Sequence, residues 1–160
     1  MELRDYPRPQ NDNGRGIHWF PTLGQKRAVV DQNVPRLVDL KLRWLVFWNG
    51  LDDAALLVND YLIKKLVAAG ITPVMHVYLR PIVPLDDAAL ARLHRLVAYY
   101  RDPPRRVDYF QLLYEPNVAG EWAEGQLPDD PVGRFLDAWL PAAQEVINAG
   151  GLPGFSPLWP

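Results

Sequence analysis

The segment of this 160-residue chain with the clearest capacity for chemistry is Glu115-Pro116-Asn117. It directly follows the apolar run of residues 107–114, which predicts a β-strand. The active-site loops of a parallel barrel leave the carboxyl ends of its strands, so Glu115 stands where a catalytic residue would. A carboxylic acid at such a place can protonate a leaving oxygen and then accept a proton from water. If Glu115 points inward, strand alternation also turns Leu113, Gln111 and Tyr109 inward.

The elements that would position this carboxyl group follow from apolar segments that alternate with amphipathic ones. We expect strands near residues 16–19, 42–48, 71–78 and 107–114, and the beginning of a fifth strand at 154–159. The expected helices are a short one capped by Asn33 and three longer ones over residues 52–69, 86–100 and 131–149. Helical spacing directs several side chains inward, among them Val38, Val58, Leu136 and Ile147. The pairs Asp52-Asp53, Asp86-Asp87 and Asp129-Asp130 precede helices as N-caps.

This alternation predicts an α/β fold with a parallel sheet and right-handed crossovers. A doubly wound sheet and a barrel share the pattern, but neither GxGxxG nor GxxxxGK[ST] occurs in the chain. We therefore predict a partial (β/α)₈ barrel, with four βα units and the start of a fifth strand. Residues 1–15 form an N-terminal arm and residues 16–160 the half-barrel. A small five-stranded α/β sheet with an unrelated function is the alternative.

Residues 109–117, YFQLLYEPN, resemble the Asn-Glu-Pro-Asn segment that ends strand four in the clan of retaining (β/α)₈-barrel glycoside hydrolases, which includes cellulases and xylosidases. Gly16-Ile17-His18 and Leu42-Arg43-Trp44 resemble the first and second strands of that clan. Residues 70–74 and 154–157 resemble the third and fifth. The resemblance covers residues 16–160, and its specific part is Glu-Pro-Asn.

The resemblance implies that Glu115 is the general acid/base of a retaining O-glycosidase that needs no cofactor. The nucleophile of the clan lies about 5–5.5 Å from the acid. It comes from strand seven, which this chain does not reach, so we expect the chain alone to be inactive. The clan also has asparagine just before the acid, where it bonds the sugar 2-hydroxyl. Tyr114 stands there instead, which removes a contact that strengthens in the transition state.

Substrate-binding candidates come from the predicted strand ends and from the resemblance. They are His18, Arg43, Trp48, His76, Tyr78, Tyr114, Asn117 and Trp122. The histidines would hydrogen-bond sugar hydroxyls, and the aromatic rings would stack on the apolar C–H faces of a sugar. Arg43 must face the barrel interior to support the acid and the nucleophile. The alternatives are packed histidines, aromatic packing in a lid, and a salt bridge of Arg43 at the base of its strand.

Other carboxylates and aromatics are interpreted as structural. We expect Glu121 and Glu124, in the long loop after the fourth strand, on the solvated surface. A carboxylate dyad of Glu121 with Glu115 is the alternative. Trp44 and Trp139 are expected in the core.

Composition excludes several classes of function. The formal net charge is −2 without a basic stripe, which argues against nucleic acid and anionic membranes. There is no cysteine, and His18, His76 and Glu115 lack the HxH or HxxxH spacing of a metal site, so we predict none. His94, in the third helix, is expected to be structural. No run reaches the roughly 18 apolar residues of a membrane span. The polar start is no signal peptide, so the compartment is left open: cytoplasmic as written, extracellular for a longer parent.

Two functions therefore compete. In the first, the parent protein hydrolyses glycosides through Glu115, and its substrate is a carbohydrate. In the second, the chain is a catalytically inactive half-barrel that binds carbohydrate or assembles with a second subunit. Open strand edges invite such association.

Overall fold

The computed structural model describes residues 5–19, 22–155 and 158, and within them strands alternate with helices. The strands are β1 (Gly16–His18), β2 (Trp44–Asn49), β3 (Thr72–Val77), β4 (Tyr109–Leu112) and β5 (Leu152–Phe155). The helices are α1 (Arg27–Asp39), α2 (Asp60–Ala68), α3 (Asp87–Arg101) and α4 (Pro131–Asn148), with a 3₁₀ turn at Ala119–Glu121 before α4. Residues 156, 157 and 159 of the predicted fifth strand, and residues 1–4 of the arm, lie outside the described residues.

The strands form one sheet in the order β1-β2-β3-β4-β5, and every neighbouring pair is parallel. Consecutive strands are joined through helices, because parallel neighbours need a crossover that returns the chain to the same edge of the sheet. The α/β fold and the parallel sheet predicted from the sequence are thus confirmed.

The two faces of the sheet differ in what covers them. One face carries fully buried side chains that pack with the apolar stripes of the helices into one core. These side chains include Leu45, Phe47, Met75, Val77, Phe110 and Leu112. The other face, called the inner face below, carries the alternate residues of each strand. Their side chains include those of Trp44, Trp48, Val74, His76, Tyr109 and Gln111, which are in register across β2 to β4.

The N-terminal arm lies over the amino-terminal half of the inner face. The hydroxyl of Tyr109 donates to the backbone oxygen of Pro7 at 2.6 Å, and the indole N–H of Trp44 donates to Asp12 at 2.8 Å. The rings of Trp44 and Tyr109 meet edge to face with centroids 5.7 Å apart. Trp44 is therefore a half-buried inner-face residue and does not belong to the helix-covered core, contrary to the sequence prediction.

The two helices before β3 begin at other residues than predicted. Asn33 lies inside α1, where its side-chain amide donates to the oxygen of Val29 at 2.8 Å, and Val38 is exposed. Residues 51–59 form turns, and Val58 is exposed. The buried amide of Asn59 holds these turns in place by donating to the backbone oxygens of Leu23 and Trp48. Tertiary hydrogen bonds thus replace the helix that local spacing favoured.

The last two helices follow the prediction more closely. Asp86 caps α3 by accepting from the N–H of Ala89 at 2.7 Å, and Asp130 caps α4 by accepting from Gly133 at 2.9 Å. On α4 the buried stripe is narrower than expected. Leu136 and Ile147 are exposed there, and both predictions are wrong.

Candidate functional site

Four of the predicted binding residues form one aromatic cluster at the carboxyl ends of β2, β3 and β4. The rings of Trp48 and Tyr78 stack with centroids 5.3 Å apart and 18° between planes. Tyr114 meets Trp48 edge to face at 5.5 Å and lies 5.3 Å from the ring of His76. Strand register places Trp48 beside His76, because the two residues are register partners and both side chains leave the same face of the sheet.

A change of backbone conformation at the end of β4 brings the fourth ring into this cluster. Leu113 and Glu115 have φ angles of 65° and 29°, in the left-handed region that non-glycine residues rarely adopt. Strand alternation would have put Tyr114 on the helix-covered face with Leu112. The left-handed Leu113 ends that alternation, so the ring of Tyr114 turns to the inner face. Strain of this kind concentrates at functional sites.

His76 is held in one protonation state and one orientation. Its ring is wholly buried, and its Nε2 lies 2.6 Å from the backbone oxygen of Leu113. Because a carbonyl only accepts, Nε2 carries the proton and Nδ1 presents a lone pair. Burial lowers the pKa of His76 to about 4, against the opposing effect of the bond to Leu113, and His18 adds a small lowering. The ring is therefore neutral at physiological pH.

Glu115 is half-buried, and its carboxyl group lies near enough to the hydroxyl of Tyr114 to act on its pKa. Burial raises the pKa of Tyr114, and the carboxyl group of Glu115 raises it further. Tyr114 therefore keeps its proton at neutral pH and is able to donate a hydrogen bond. The residue that replaces the asparagine of the resembling clan thus contacts the candidate acid directly.

A second carboxyl group, that of Glu121, lies next to this site. The sequence prediction of a solvated Glu121 is wrong, because its side chain is only 7% exposed. The Nε of Arg80 lies 3.3 Å from its Oε2, and Arg80 also donates to the backbone oxygen of Gly120 at 2.7 Å. Burial raises the pKa of Glu121, Arg80 opposes the rise, and the negative charge of Glu115 adds to it. Glu124, in contrast, is exposed as expected.

Trp122 packs the loop that follows β4. Its ring is 4% exposed, and its indole N–H donates to the backbone oxygen of Pro116 at 3.0 Å. The backbone of Trp122 also forms an isolated parallel bridge with Ile82. Trp122 therefore fixes the loop that carries Glu121 and offers no free face for a sugar.

The remaining candidates lie around the cluster or away from it. His18 is exposed on the inner face of β1, in register with Val46, and its charge acts on His76. Asn117 is exposed and lines an apolar groove of about 560 Å³ with α4 and the end of β5. Arg43 precedes β2 at the opposite edge of the sheet, where its guanidinium lies near Gly70. The structure therefore does not bring Arg43 to Glu115.

Residues 5–19, 22–155 and 158 contain no group of three histidine, aspartate or glutamate side chains placed to hold a metal ion. Nδ1 of His94 lies 2.6 Å from the carboxylate of Glu145, so that this part-buried pair joins α3 to α4. Of the helices in the described part of the chain, none is long and apolar enough to cross a membrane.

No family model matches the sequence, and no curated protein matches it significantly.

Proposed function

We propose that this chain is part of a (β/α)₈ barrel of the retaining glycoside hydrolase kind, which binds carbohydrate at the carboxyl edge of its sheet. Glu115 is the general acid/base of the parent reaction. The observation that carries the proposal is the contact of Glu115 with Tyr114 inside the cluster of Trp48 and Tyr78. A carboxyl group beside half-buried aromatic rings suits the binding and cleavage of a sugar.

Each part of this site has a chemical role in the proposal. The stacked pair of Trp48 and Tyr78 binds the apolar face of a sugar ring, which places the glycosidic oxygen near Glu115. The acid protonates that oxygen as the bond breaks and afterwards activates water. In this proposal the hydroxyl of Tyr114, which lies near Glu115, orients the carboxyl group by donating to it.

The retaining reaction also requires a nucleophilic carboxylate. Glu121 does not have this role in the proposal, because its Oε2 is buried and lies 3.3 Å from Nε of Arg80. No other residue of the chain is assigned to the step. We therefore assign carbohydrate binding without turnover to the chain alone, and turnover to a longer parent.

Binding is tested by titrating the protein with methyl β-glycosides of glucose, mannose, galactose and xylose, followed by calorimetry. Trp48→Leu should weaken the tightest complex by roughly tenfold, which corresponds to a loss of about 1.4 kcal/mol of stacking. Trp139→Leu is the matched control, because Trp139 stacks on Phe155 on the helix-covered face. Equal effects of the two substitutions, or no binding by the wild type, would refute the proposal.

The role of Glu115 is tested on aryl β-glycosides with the parent protein. Glu115→Gln should abolish most hydrolysis, because the amide cannot donate a proton to the leaving oxygen. Equal rates of hydrolysis for the wild type and the variant would contradict the proposed acid/base role of Glu115.

A second candidate, self-association of the chain, is supported by its exposed apolar surface. Val132, Leu140, Phe155 and Leu158 are each more than half exposed, along α4 and the end of β5. Within the described residues the outer edge of β5 pairs with no strand, and open edges favour pairing with another chain. Sedimentation should then show a dimer that Leu140→Glu dissociates, whereas a monomer at every concentration would count against association.

A further inference from the structure

Two buried hydrogen-bond acceptors on the inner face have no partner among the described residues. They are Nδ1 of His76 and Oε1 of Gln111, and neither atom has appreciable accessible surface. The two residues are register partners on β3 and β4. Their side chains therefore leave the same face of the sheet from strands about 4.8 Å apart.

Both atoms require a donor. Nε2 of His76 already donates to Leu113, so the neutral ring can only accept at Nδ1. The amide oxygen of Gln111 likewise accepts. A buried acceptor without a donor costs free energy, and native proteins rarely leave one unpaired.

Two neighbouring donors of the inner face are already used. The hydroxyl of Tyr109, two residues before Gln111, donates to the arm at Pro7. The indole N–H of Trp44 donates to Asp12. The ring of Tyr114 lies 5.3 Å from that of His76, and its hydroxyl lies near the carboxyl group of Glu115. None of these groups donates to the two acceptors, which leaves both acceptors open to donors of a bound molecule.

There is room for such a molecule beside Gln111. A cavity of about 500 Å³ opens on the inner face, and its walls include Gln111, Tyr109 and Gly154. Gly154 is the register partner of Gln111 on β5, and without a side chain it leaves the space next to the amide free. Ligand pockets are typically about 300–1,000 Å³, so a sugar ring is of suitable size.

We propose that His76 and Gln111 form a hydroxyl-binding subsite, in which Nδ1 and Oε1 accept hydrogen bonds from hydroxyl groups of the carbohydrate. The inference rests on the proposed function and adds Gln111 to the residues that bind the substrate. It also sets a chemical requirement, because the ligand must offer donors at this depth. A site built to bond a hydroxyl rejects an analogue that lacks it.

The test compares the wild type with Gln111→Met, which keeps the length of the side chain but removes the acceptor. The probes are the tightest methyl β-glycoside of the panel above and its monodeoxy derivatives. Gln111→Met should weaken the parent glycoside about tenfold. One monodeoxy derivative should bind the wild type and Gln111→Met with equal affinity, because it lacks the hydroxyl that donates to Oε1 of Gln111.

Two further variants frame this comparison. Gln111→Glu keeps acceptor oxygens at the same position and should retain most of the affinity. Gln144→Met is the matched control, because Gln144 is exposed on α4 and bonds only Asn148. The subsite is refuted if Gln111→Met leaves the parent glycoside unaffected, or if every monodeoxy derivative loses the same factor as the parent.

Nuclear magnetic resonance of ¹⁵N-labelled histidine gives an independent readout, since the chain has three histidines. The Nδ1 resonance of His76 should report a free lone pair in the unliganded protein and shift when the glycoside binds. A shift caused by Gln111→Met without ligand would mean that the glutamine amide already donates to His76, which overturns the inference.

Failure of the subsite and failure of the proposed function give different results. If the wild type binds no glycoside of the panel, the proposed function fails and the subsite with it. If a glycoside binds and Trp48→Leu weakens it, but neither Gln111→Met nor the His76 resonance responds, the subsite alone is wrong.

Discussion

Acidification between pH 6.5 and pH 4 is expected to destabilise the folded chain through His76. The imidazole is wholly buried, and burial lowers its pKa from 6.5 to about 4. In this interval the unfolded chain binds a proton that the folded chain excludes. The stabilising contribution is therefore complete above pH 6.5 and is lost as the pH falls toward 4.

The magnitude follows from the two pKa values. One pKa unit corresponds to about 1.36 kcal/mol of differential interaction. A histidine whose pKa falls from 6.5 to about 4 on folding should therefore cost the protein about 3 kcal/mol of unfolding free energy between pH 7 and pH 4. That is a large part of the roughly 5–15 kcal/mol that stabilises an ordinary domain.

Urea unfolding at pH values from 7 to 4 measures this loss when the wild type is compared with His76→Gln. The pKa values of Asp31 and Asp60 are lowered by their partners, so they also reduce stability in acid, but they act equally in both proteins. The difference in unfolding free energy between the wild type and His76→Gln should decrease by about 3 kcal/mol from pH 7 to pH 4. His94→Gln, which removes a half-exposed histidine, should keep the steep decline. Parallel curves, or a His76 titration with its midpoint near 6.5, would refute the reasoning.

Three further stability predictions use the same urea assay. Arg80→Met should cost about 1–3 kcal/mol at pH 7, because it leaves the Glu121 carboxylate buried without its cation. The loss should shrink toward pH 5, since the raised pKa of Glu121 lets it take up a proton, and a loss constant with pH would contradict this. Asp86→Ala should cost about 1 kcal/mol as a lost N-cap, and Asp87→Ala clearly less. Gly70→Ala should cost about 1 kcal/mol, because φ there is 72°, and a neutral effect would contradict the strain argument.

The parallel sheet was predictable because local patterns specify it. Runs such as residues 44–49 and 72–77 are short and apolar, and Asp86 and Asp130 cap the following helices as their sequences indicate. The start of α2 was not predictable, because Asn59 fixes the preceding turns through bonds to residues that are distant in sequence. Local spacing carries no information about such contacts.

In the candidate site, too, some contacts follow from local sequence patterns and others depend on residues distant in sequence. Trp48 and His76 meet because strand register places them side by side, which the predicted parallel strands already imply. The burial of Glu121 depends on Arg80, which belongs to a loop some 40 residues earlier in the chain. The inward turn of Tyr114 depends on the left-handed backbone of Leu113, which no propensity favours for leucine. The sequence therefore predicted the neighbourhood of Trp48 and His76 better than the positions of the Glu121 and Tyr114 side chains.

Tyr114 connects the stability of this site to its chemistry, and replacing it with asparagine would separate the two. The ring lies 5.3 Å from the imidazole of His76, while the hydroxyl lies near the carboxyl group of Glu115. Tyr114→Phe keeps the ring, so the pKa of His76 should stay near 4, although Glu115 loses its partner.

Tyr114→Asn introduces the residue that the resembling clan has at this position, and it should open the ring of His76 to water. Since burial is the main cause of the lowered pKa, that pKa should rise toward 6.5. The pKa of His76 in both variants is measured by following its nuclear magnetic resonance signals against pH. An unchanged His76 titration in Tyr114→Asn would show that the imidazole owes its neutral state to other neighbours. Shielding of His76 by the ring of Tyr114 would then be refuted.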